Sequence, residues 1–173
     1  HREDRFMKTF KGGIHPPEEK DLVRNNPIVD FPLSSTFYVY IQQHLGAPAK
    51  PVVKAGDEVR KGQALSEPLG FVSAPVHAPT SGKIKAISKM VHPVTGLLAP
   101  CIILEADGND EWAEGLPLKR DPFSMTREEL IGAISSAGIV GMGGATFPTH
   151  VKLSPPKDKT IDVFIVNGAE CEP

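Results

Sequence analysis

The sequence has few cysteines, no long apolar run and no excess of charge of either sign. Cys101 and Cys171 are its only cysteines, too few for the four thiolates of an iron–sulfur cluster. No apolar run reaches the length of a membrane-spanning helix, and the charged start HREDRFMKTF lacks the apolar core of a signal peptide. Without a secretion signal, both cysteines are expected to be reduced. The formal net charge of −2 argues against the clustered basic surface typical of nucleic-acid binding.

Proline and glycine are plentiful, with 17 and 16 residues, which is typical of short strands joined by tight turns. The chain divides into three parts by its patterns. Residues 1–35 are proline-rich without periodicity and are expected to form an extended N-terminal segment. Residues 36–120 are expected to form an all-β domain, and residues 121–173 the beginning of an α/β domain. The predicted fold class is therefore mixed, α+β.

The middle part carries strand patterns and a recognisable arrangement of turns. TFYVYI (36–41) and LLAPCIILEA (97–106) are rich in β-forming residues, and Lys-Ile-Lys-Ala after Ser81-Gly82 alternates polar and apolar. GDEVRKGQAL followed by HAPTSGKIKAI resembles the barrel-sandwich fold of biotinyl and lipoyl domains. Gly56, Gly62 and Gly82 are expected to permit its tight reversals. The resemblance implies a barrel-sandwich hybrid.

A carrier domain with this fold needs a lysine at the tip of its hairpin. Here the corresponding hairpin, SEPLGFVSAPV (66–76), contains no lysine. Lys83 follows the Ala-Pro turn and is better interpreted as a surface residue of a strand. The sequence therefore favours a structural or docking module over a carrier.

The last part begins with helix signals and ends with a strand signal. Thr126 with Glu129 three residues later forms a capping-box pattern, and Gly138 suits the position just after a helix. A short helix is expected at 149–153. The apolar run 160–168 predicts a strand covered on both faces.

Between the predicted helices lies GIVGMGGATFPTH (138–150), and three mechanisms compete for it. A phosphate-binding P-loop needs a Lys-Ser or Lys-Thr pair that is absent at the required spacing. A Rossmann fingerprint needs a preceding strand and a third glycine in register, and both are missing. A glycine loop lying against a flavin or dinucleotide is compatible with the residues, because backbone N–H groups without a Cβ approach a ligand closely. A plain surface turn remains open.

Two long motifs are decisive together. GMGGATFPTHVKL (141–153) and IVNGAECEP (165–173) closely resemble the C-subunit family of the Rnf-type ion-translocating electron-transport complex. They are more distantly similar to the flavin/NADH subunit of respiratory complex I. GGIHPPEEK (12–20) and QHLGAPAKPVVKAGDEVRKGQ (43–63) also look like the N-terminal part of the Rnf-type family. The resemblance covers the chain from Gly12 to Pro173.

The resemblance implies a subunit of an NADH-dependent oxidoreductase, peripheral to the cytoplasmic face of the bacterial inner membrane. Such a subunit passes electrons from NADH through FMN to iron–sulfur clusters, in a complex with other subunits that couples the transfer to ion translocation. The clusters belong to a C-terminal part that this chain lacks. We therefore expect the chain to be an N-terminal fragment, inactive alone and at most a weak binder of FMN.

The resemblance also assigns residues to the FMN and NADH site, while it assigns no catalytic side chain and no metal ligand. They are Gly141, Gly143, Gly144, Ala145, Phe147, Lys152, Asn167, Glu170 and Glu172. The glycines and Ala145 would line the flavin phosphate or the nucleotide, Phe147 would flank the nicotinamide or isoalloxazine ring, and Lys152 would meet a phosphate. The last three residues would contact flavin and ribose. Thr146 departs from the complex I loop, which has glycine at that position.

Two alternatives remain at this point. A flavin-dependent cobalamin reductase shares the glycine loop and the NGAECEP motif, although GGIHPP favours the Rnf-type subunit. From a different class, the chain by itself is compatible with a non-catalytic barrel-sandwich docking module within an assembly.

Overall fold

The computed structural model of the chain describes residue 17 and residues 19–117, 119–142, 144–156 and 158–166. The chain divides into two units, one formed by His1–Phe31 with Val163–Pro173 and the other by Pro32–Asp162. Among the described residues of the first unit, Lys20–Leu22 form a single 3₁₀ turn with no buried side chain. The second unit contains six strands and two α-helices over its described residues.

Two antiparallel sheets make up the β part of the second unit. Its strands are β1 (Thr36–Tyr40), β2 (Lys50–Pro51), β3 (Glu58–Val59), β4 (Ser66–Glu67), β5 (Gly82–Val91) and β6 (Leu98–Ala106). The larger sheet has the order β1-β6-β5-β3, and β2 pairs with β4 in the smaller one. Several of these strands are only two residues long, so turns account for much of the fold, as the proline and glycine content predicts.

The core lies on one face of the larger sheet because side chains alternate along each strand. Ile84 of β5 is paired with Leu104 of β6, and both are almost completely buried, whereas Lys83 and Lys85 point away from the core. Lys83 is thus a surface residue, as predicted. The cluster is completed by residues from both sheets and their turns: Val39, Ile41, Ala49, Val59, Leu65, Val76, Ala78 and Ile102.

Two of the three predicted turn glycines lie in turns, and the third has another role. Gly56 and Gly62 have φ of +95° and +78°, in the left-handed region that favours glycine. Gly82 is instead the first residue of β5, with a nearly extended φ of +158°, and a Cβ there would overlap the carbonyl oxygen of Glu105 on β6. Glycine is therefore needed at position 82 because β5 and β6 approach each other closely there, and not for the chain reversal that the sequence predicts.

The helical segment matches its sequence signals closely. In α1 (Arg127–Ser136), the Glu129 N–H donates to Thr126 Oγ1 at 3.2 Å and the Thr126 N–H donates to Glu129 Oε2 at 2.8 Å. This reciprocal pair is the predicted capping box. Gly138 follows the helix with φ of +68°, and α2 occupies Thr149–Lys152. Both predictions are confirmed.

The predicted strand at 160–168 is wrong over the residues that the structure describes. Residues 160–166 have no strand assignment, and the large apolar side chains there are 59–83% exposed. A strand requires a hydrogen-bonding neighbour, and within the described ranges none pairs with this run. An apolar run alone therefore did not determine the local structure. Residues 167 and 168 lie outside the described residues.

Cys101 and both α-helices lie in the described part of the chain. Cys101 is a buried free thiol in β6, as expected, and burial raises its pKa; Cys171 lies outside the described residues. Over the same described ranges, neither helix has the length and apolarity needed to cross a membrane.

Candidate functional site

The glycine loop, residues 138–150, is closed at its neck by backbone hydrogen bonds. The Thr149 N–H donates to the Ile139 carbonyl at 3.0 Å, and the Gly141 N–H donates to the Phe147 carbonyl at 3.0 Å. These bonds bring the two ends of the loop together, and the described residues between them, Met142 and residues 144–146, belong to its tip. The loop therefore has a defined base between α1 and α2.

The described residues of the tip present open backbone. Gly144 and Ala145 are exposed, and among the described atoms their N–H groups meet no acceptor. A Cβ at Gly144 would touch nothing within 4 Å, so a ligand can approach this backbone directly. Unpaired N–H groups on a glycine-rich turn are suited to binding an anion.

A cation lies beside the neck of the loop. The Lys152 ammonium, carried by α2, is 3.0 Å from the point that a Cβ on Gly141 would occupy. No carboxylate of the described residues forms an ion pair with Lys152. Phe147, at the other side of the neck, is half-buried. Within the described part of the chain, the N–H groups of the tip lack an acceptor and the Lys152 ammonium lacks a carboxylate partner, an arrangement that favours an anionic ligand.

Thr146 has an unusual backbone conformation within this loop. Its φ is +50°, in the left-handed region that β-branched residues rarely adopt. This is the position where the complex I loop has glycine. The Thr146 hydroxyl donates to the carbonyl of Ala145 at 2.7 Å, and the Thr146 carbonyl accepts the N–H of Leu45 at 3.3 Å. The strained residue is thus held by a contact with the β domain.

The end of α1 makes a second contact with the β domain. A Cβ on Gly138 would lie 2.5 Å from the Pro75 carbonyl oxygen, so only glycine allows this approach. The half-buried ring of His77 lies against the same glycine. Burial lowers the pKa of His77 and outweighs a hydrogen bond with the Ser136 backbone, which acts in the opposite direction.

A third contact joins α2 to the hairpin 66–76. His150 is 6% exposed, and its Nε2 lies 2.8 Å from the Phe71 carbonyl oxygen. The two rings meet edge to face, with centroids 5.7 Å apart. Among the described atoms, Nδ1 of His150 has no hydrogen-bond partner. The hairpin that presents a lysine in carrier domains therefore supports the glycine loop here.

Between the glycine loop and the β domain lies a cleft of about 380 Å³. It has both apolar and polar walls, and its lining includes Gln43, His44, Pro75, His77, Met142 and Thr146. The cleft joins the loop's tip to the β domain, so a ligand on the loop would have both parts of the protein beside it.

Of the residues expected at the site, the structure brings Gly141, Phe147 and Lys152 together at the neck of the loop. Gly144 and Ala145 lie at its exposed tip. The other four lie outside the described residues: Gly143, Asn167, Glu170 and Glu172. All nine assignments stay predictions.

Sequence reasoning assigned no role to Leu45, His77 or His150. His150 ends the glycine loop directly after Phe-Pro-Thr, but no spacing rule connects it with a hairpin 79 residues earlier. His77 and Leu45 likewise meet the loop only through the fold.

The fold and the loop define a class of protein, a barrel-sandwich hybrid joined to a glycine-rich loop with a lysine at its neck. Residues 8–109 match the RnfC barrel sandwich hybrid domain, and residues 134–173 match the Nuo51 FMN-binding domain. The chain belongs to the RnfC barrel-sandwich hybrid family. The resemblance inferred from the sequence motifs and the predicted barrel-sandwich fold are thereby confirmed.

The similar proteins are the C subunits of ion-translocating complexes. The chain is 50% identical over 168 residues to the C subunit of the proton-translocating ferredoxin:NAD(+) oxidoreductase complex of Clostridium ljungdahlii, which covers 97% of the chain and 36% of that protein. It is 43% identical to the C subunit of the Na(+)-translocating ferredoxin:NAD(+) oxidoreductase complex of Acetobacterium woodii, over 95% of the chain and 37% of the relative. It is 49% identical to the C subunit of the ion-translocating oxidoreductase complex of Haemophilus influenzae, over 95% of the chain and 24% of that relative. The chain thus spans well under half the length of these relatives.

Proposed function

We propose that this chain is part of a subunit that passes electrons from NADH through FMN to iron–sulfur clusters within an ion-translocating membrane complex. The names of its relatives and the match to an FMN-binding domain support this function. The partners are the other subunits of the complex, and the subunit lies peripherally at the cytoplasmic face of the cell membrane. The clusters belong to a part of the protein outside these 173 residues. The three-part division at residues 35 and 120 belongs to the same proposal.

The observation that carries the proposal is the open backbone of the glycine loop with the Lys152 ammonium at its neck. The FMN phosphate is a dianion, and it fits a turn whose Gly144 and Ala145 N–H groups have no acceptor among the described atoms, beside an ammonium that no described carboxylate neutralises. Gly144 leaves room for the phosphate at the tip, and Gly141 leaves room for the lysine at the neck. The residues of this loop therefore fit the phosphate end of FMN.

Each residue has a defined task in this proposal. The backbone of Gly141, Gly143, Gly144 and Ala145 binds the phosphate or nucleotide, and Lys152 neutralises its charge. Phe147 excludes water from one side of the flavin or nicotinamide ring. In the second motif, the Asn167 amide forms a hydrogen bond with the edge of the flavin ring, and the carboxylates of Glu170 and Glu172 accept hydrogen bonds from ribose hydroxyls. When bound, FMN accepts two electrons from NADH and releases them singly to one-electron carriers.

The test is FMN affinity in the complete protein, extended to the length of its relatives. Lys152→Gln removes a charged contact to phosphate, worth about 1.5–3 kcal/mol, so the Kd for FMN should rise about ten- to hundredfold. Lys83→Gln is the matched control, because Lys83 is an exposed lysine of the β domain, and it should leave the Kd unchanged. Fluorescence quenching of FMN gives both values.

Two results would contradict the proposal. One is a complete wild-type protein that does not bind FMN; the other is equal FMN affinity in wild type and Lys152→Gln. The 173-residue chain by itself is expected to bind FMN weakly at best, because it spans only 36% of the length of the Clostridium ljungdahlii relative. A flavin spectrum that survives desalting of this chain would refute that expectation.

A further inference from the structure

We propose that His150 is a positioning residue, which holds α2 against the hairpin 66–76 and so keeps the Lys152 ammonium at the neck of the glycine loop. No sequence motif assigns a task to this histidine. The inference rests on the proposed function, since it explains how the phosphate-binding lysine is oriented. Its basis is the chain of contacts from the hairpin through His150 to Lys152.

The first step concerns the length of α2. It has four residues, Thr149–Lys152, and a helix of one turn is not stable by itself. Its position must therefore come from contacts outside the helix. At its start the Thr149 N–H is bonded to Ile139, and at its end the Ser154 hydroxyl donates to the His150 carbonyl at 2.7 Å. The side chain of His150 makes the contact that reaches the β domain.

The second step is the direction of the two side chains. Residues two apart on a helix are separated by roughly 200° around its axis, so they lie on opposite faces. His150 is accordingly buried against the hairpin while Lys152 is exposed toward the loop. Fixing the histidine therefore fixes the helix face from which the lysine extends toward the loop.

The third step is the chemistry of the histidine contact. The Phe71 carbonyl oxygen can only accept a hydrogen bond, so Nε2 of His150 carries the proton and donates it at 2.8 Å. The edge-to-face contact with the Phe71 ring adds a second constraint on the imidazole plane. Both contacts are made with the same residue of the hairpin, which defines the position of His150 closely.

The fourth step is that the hairpin is itself firmly held. The Ala47 N–H donates to the Val72 carbonyl at 2.9 Å, and the Ser73 hydroxyl donates to the Ala47 carbonyl at 2.8 Å. Ser73 is fully buried, and its oxygen also accepts the Leu69 N–H at 3.3 Å. Phe71 lies inside this bonded turn, so its carbonyl is a fixed point against which His150 is placed.

Two variants separate the positioning role from a general loss of stability. His150→Ala removes the donor to Phe71 and leaves α2 without its side-chain anchor, whereas His150→Gln keeps an N–H donor at similar reach. Val59→Ala creates a cavity in the β core, away from the loop, and serves as the control for lowered stability. Hydrogen exchange of residues 149–154 and the Kd for FMN are measured for the complete protein.

Without FMN, His150→Ala should raise the exchange rate of residues 149–154 about tenfold, while His150→Gln and Val59→Ala leave it near the wild-type rate. The Kd for FMN should rise about tenfold in His150→Ala, an effect that should nearly vanish in a Lys152→Gln background because the two residues act as one unit. Unchanged exchange in His150→Ala, or additive effects of the two substitutions on the Kd, would overturn the inference. Failure of the wild type to bind FMN would instead refute the proposed function, while the exchange measurement would still decide the role of His150.

Discussion

Thr146→Gly tests whether the glycine loop holds a strained residue. Thr146 has φ of +50°, and a left-handed backbone costs an L-residue roughly 1–2 kcal/mol. Glycine adopts this conformation without that cost. Glycine also makes the unfolded chain more flexible, which lowers the free energy of unfolding by roughly 0.5–1 kcal/mol. The two effects oppose each other, so the variant should be about as stable as the wild type or slightly more stable.

A matched control isolates the strain from the effect on the unfolded chain. Thr95 lies in the turn between β5 and β6, and its φ is not positive. Its hydroxyl also makes a local bond, accepting the Leu97 N–H at 3.3 Å. Thr95→Gly should therefore lose about 0.5–1 kcal/mol with no relief of strain. The difference between the two glycine variants should equal the left-handed penalty, about 1–2 kcal/mol.

Urea denaturation of wild type and both variants, followed by circular dichroism, gives the three free energies of unfolding. In thermal unfolding, the difference corresponds to roughly 2–4 °C per kcal/mol for a protein of this size. If Thr146→Gly loses as much stability as Thr95→Gly, the loop is not strained at Thr146, and the reasoning from its backbone is refuted. The hydrogen bond from the Leu45 N–H to the Thr146 carbonyl is available in the Thr146→Gly variant as well, because it involves only backbone atoms.

Two further predictions concern α1 and the residues around it. Burial lowers the pKa of His77 in the folded protein, so the unfolded chain binds the proton more readily. The free energy of unfolding should therefore fall as the pH drops from above the ordinary pKa of 6.5 to below the lowered pKa. His77→Gln should reduce this pH dependence in urea titrations between about pH 7.5 and 5; an identical dependence in both proteins would contradict it. Since α1 has no buried side chain, its amides should exchange faster than those of β5 and β6, as hydrogen exchange with mass spectrometry can check. Slower exchange in α1 than in β5 would show that side-chain burial does not determine the exchange rates of these elements.

Local signals in the sequence predicted the local structure well. The alternation around Ile84 indicated the correct face of β5, and the pair Thr126 and Glu129 indicated the correct start of α1. Each of these depends on neighbours within a few residues. The strand predicted at 160–168 is absent over its described residues. A strand depends on a hydrogen-bonding partner, and the pattern within one segment carries no information about what lies beside it.

The candidate site was predicted from the sequence in part, for the same physical reason. The glycine loop and its lysine lie within one continuous motif, so their proximity follows from chain connectivity. The contacts that hold the loop to the β domain join residues far apart in sequence, such as His150 and Phe71, which are separated by 79 positions. Periodicity and capping rules predict only contacts between residues close in sequence, so they cannot predict a contact across 79 positions.

These long-range contacts change the interpretation of the barrel-sandwich hybrid itself. Without a lysine in its hairpin, the sequence of the domain indicates only a docking module of unspecified use. Its described contacts at Leu45, Pro75 and Phe71 all meet the segment that carries the glycine loop, at Thr146, at Gly138 and at His150. Three contacts at separate points restrict the movement of the loop relative to the domain, which the bonds at its own neck cannot do. The β domain is therefore an internal support for the loop, and variants in its hairpin should influence the site without touching a ligand.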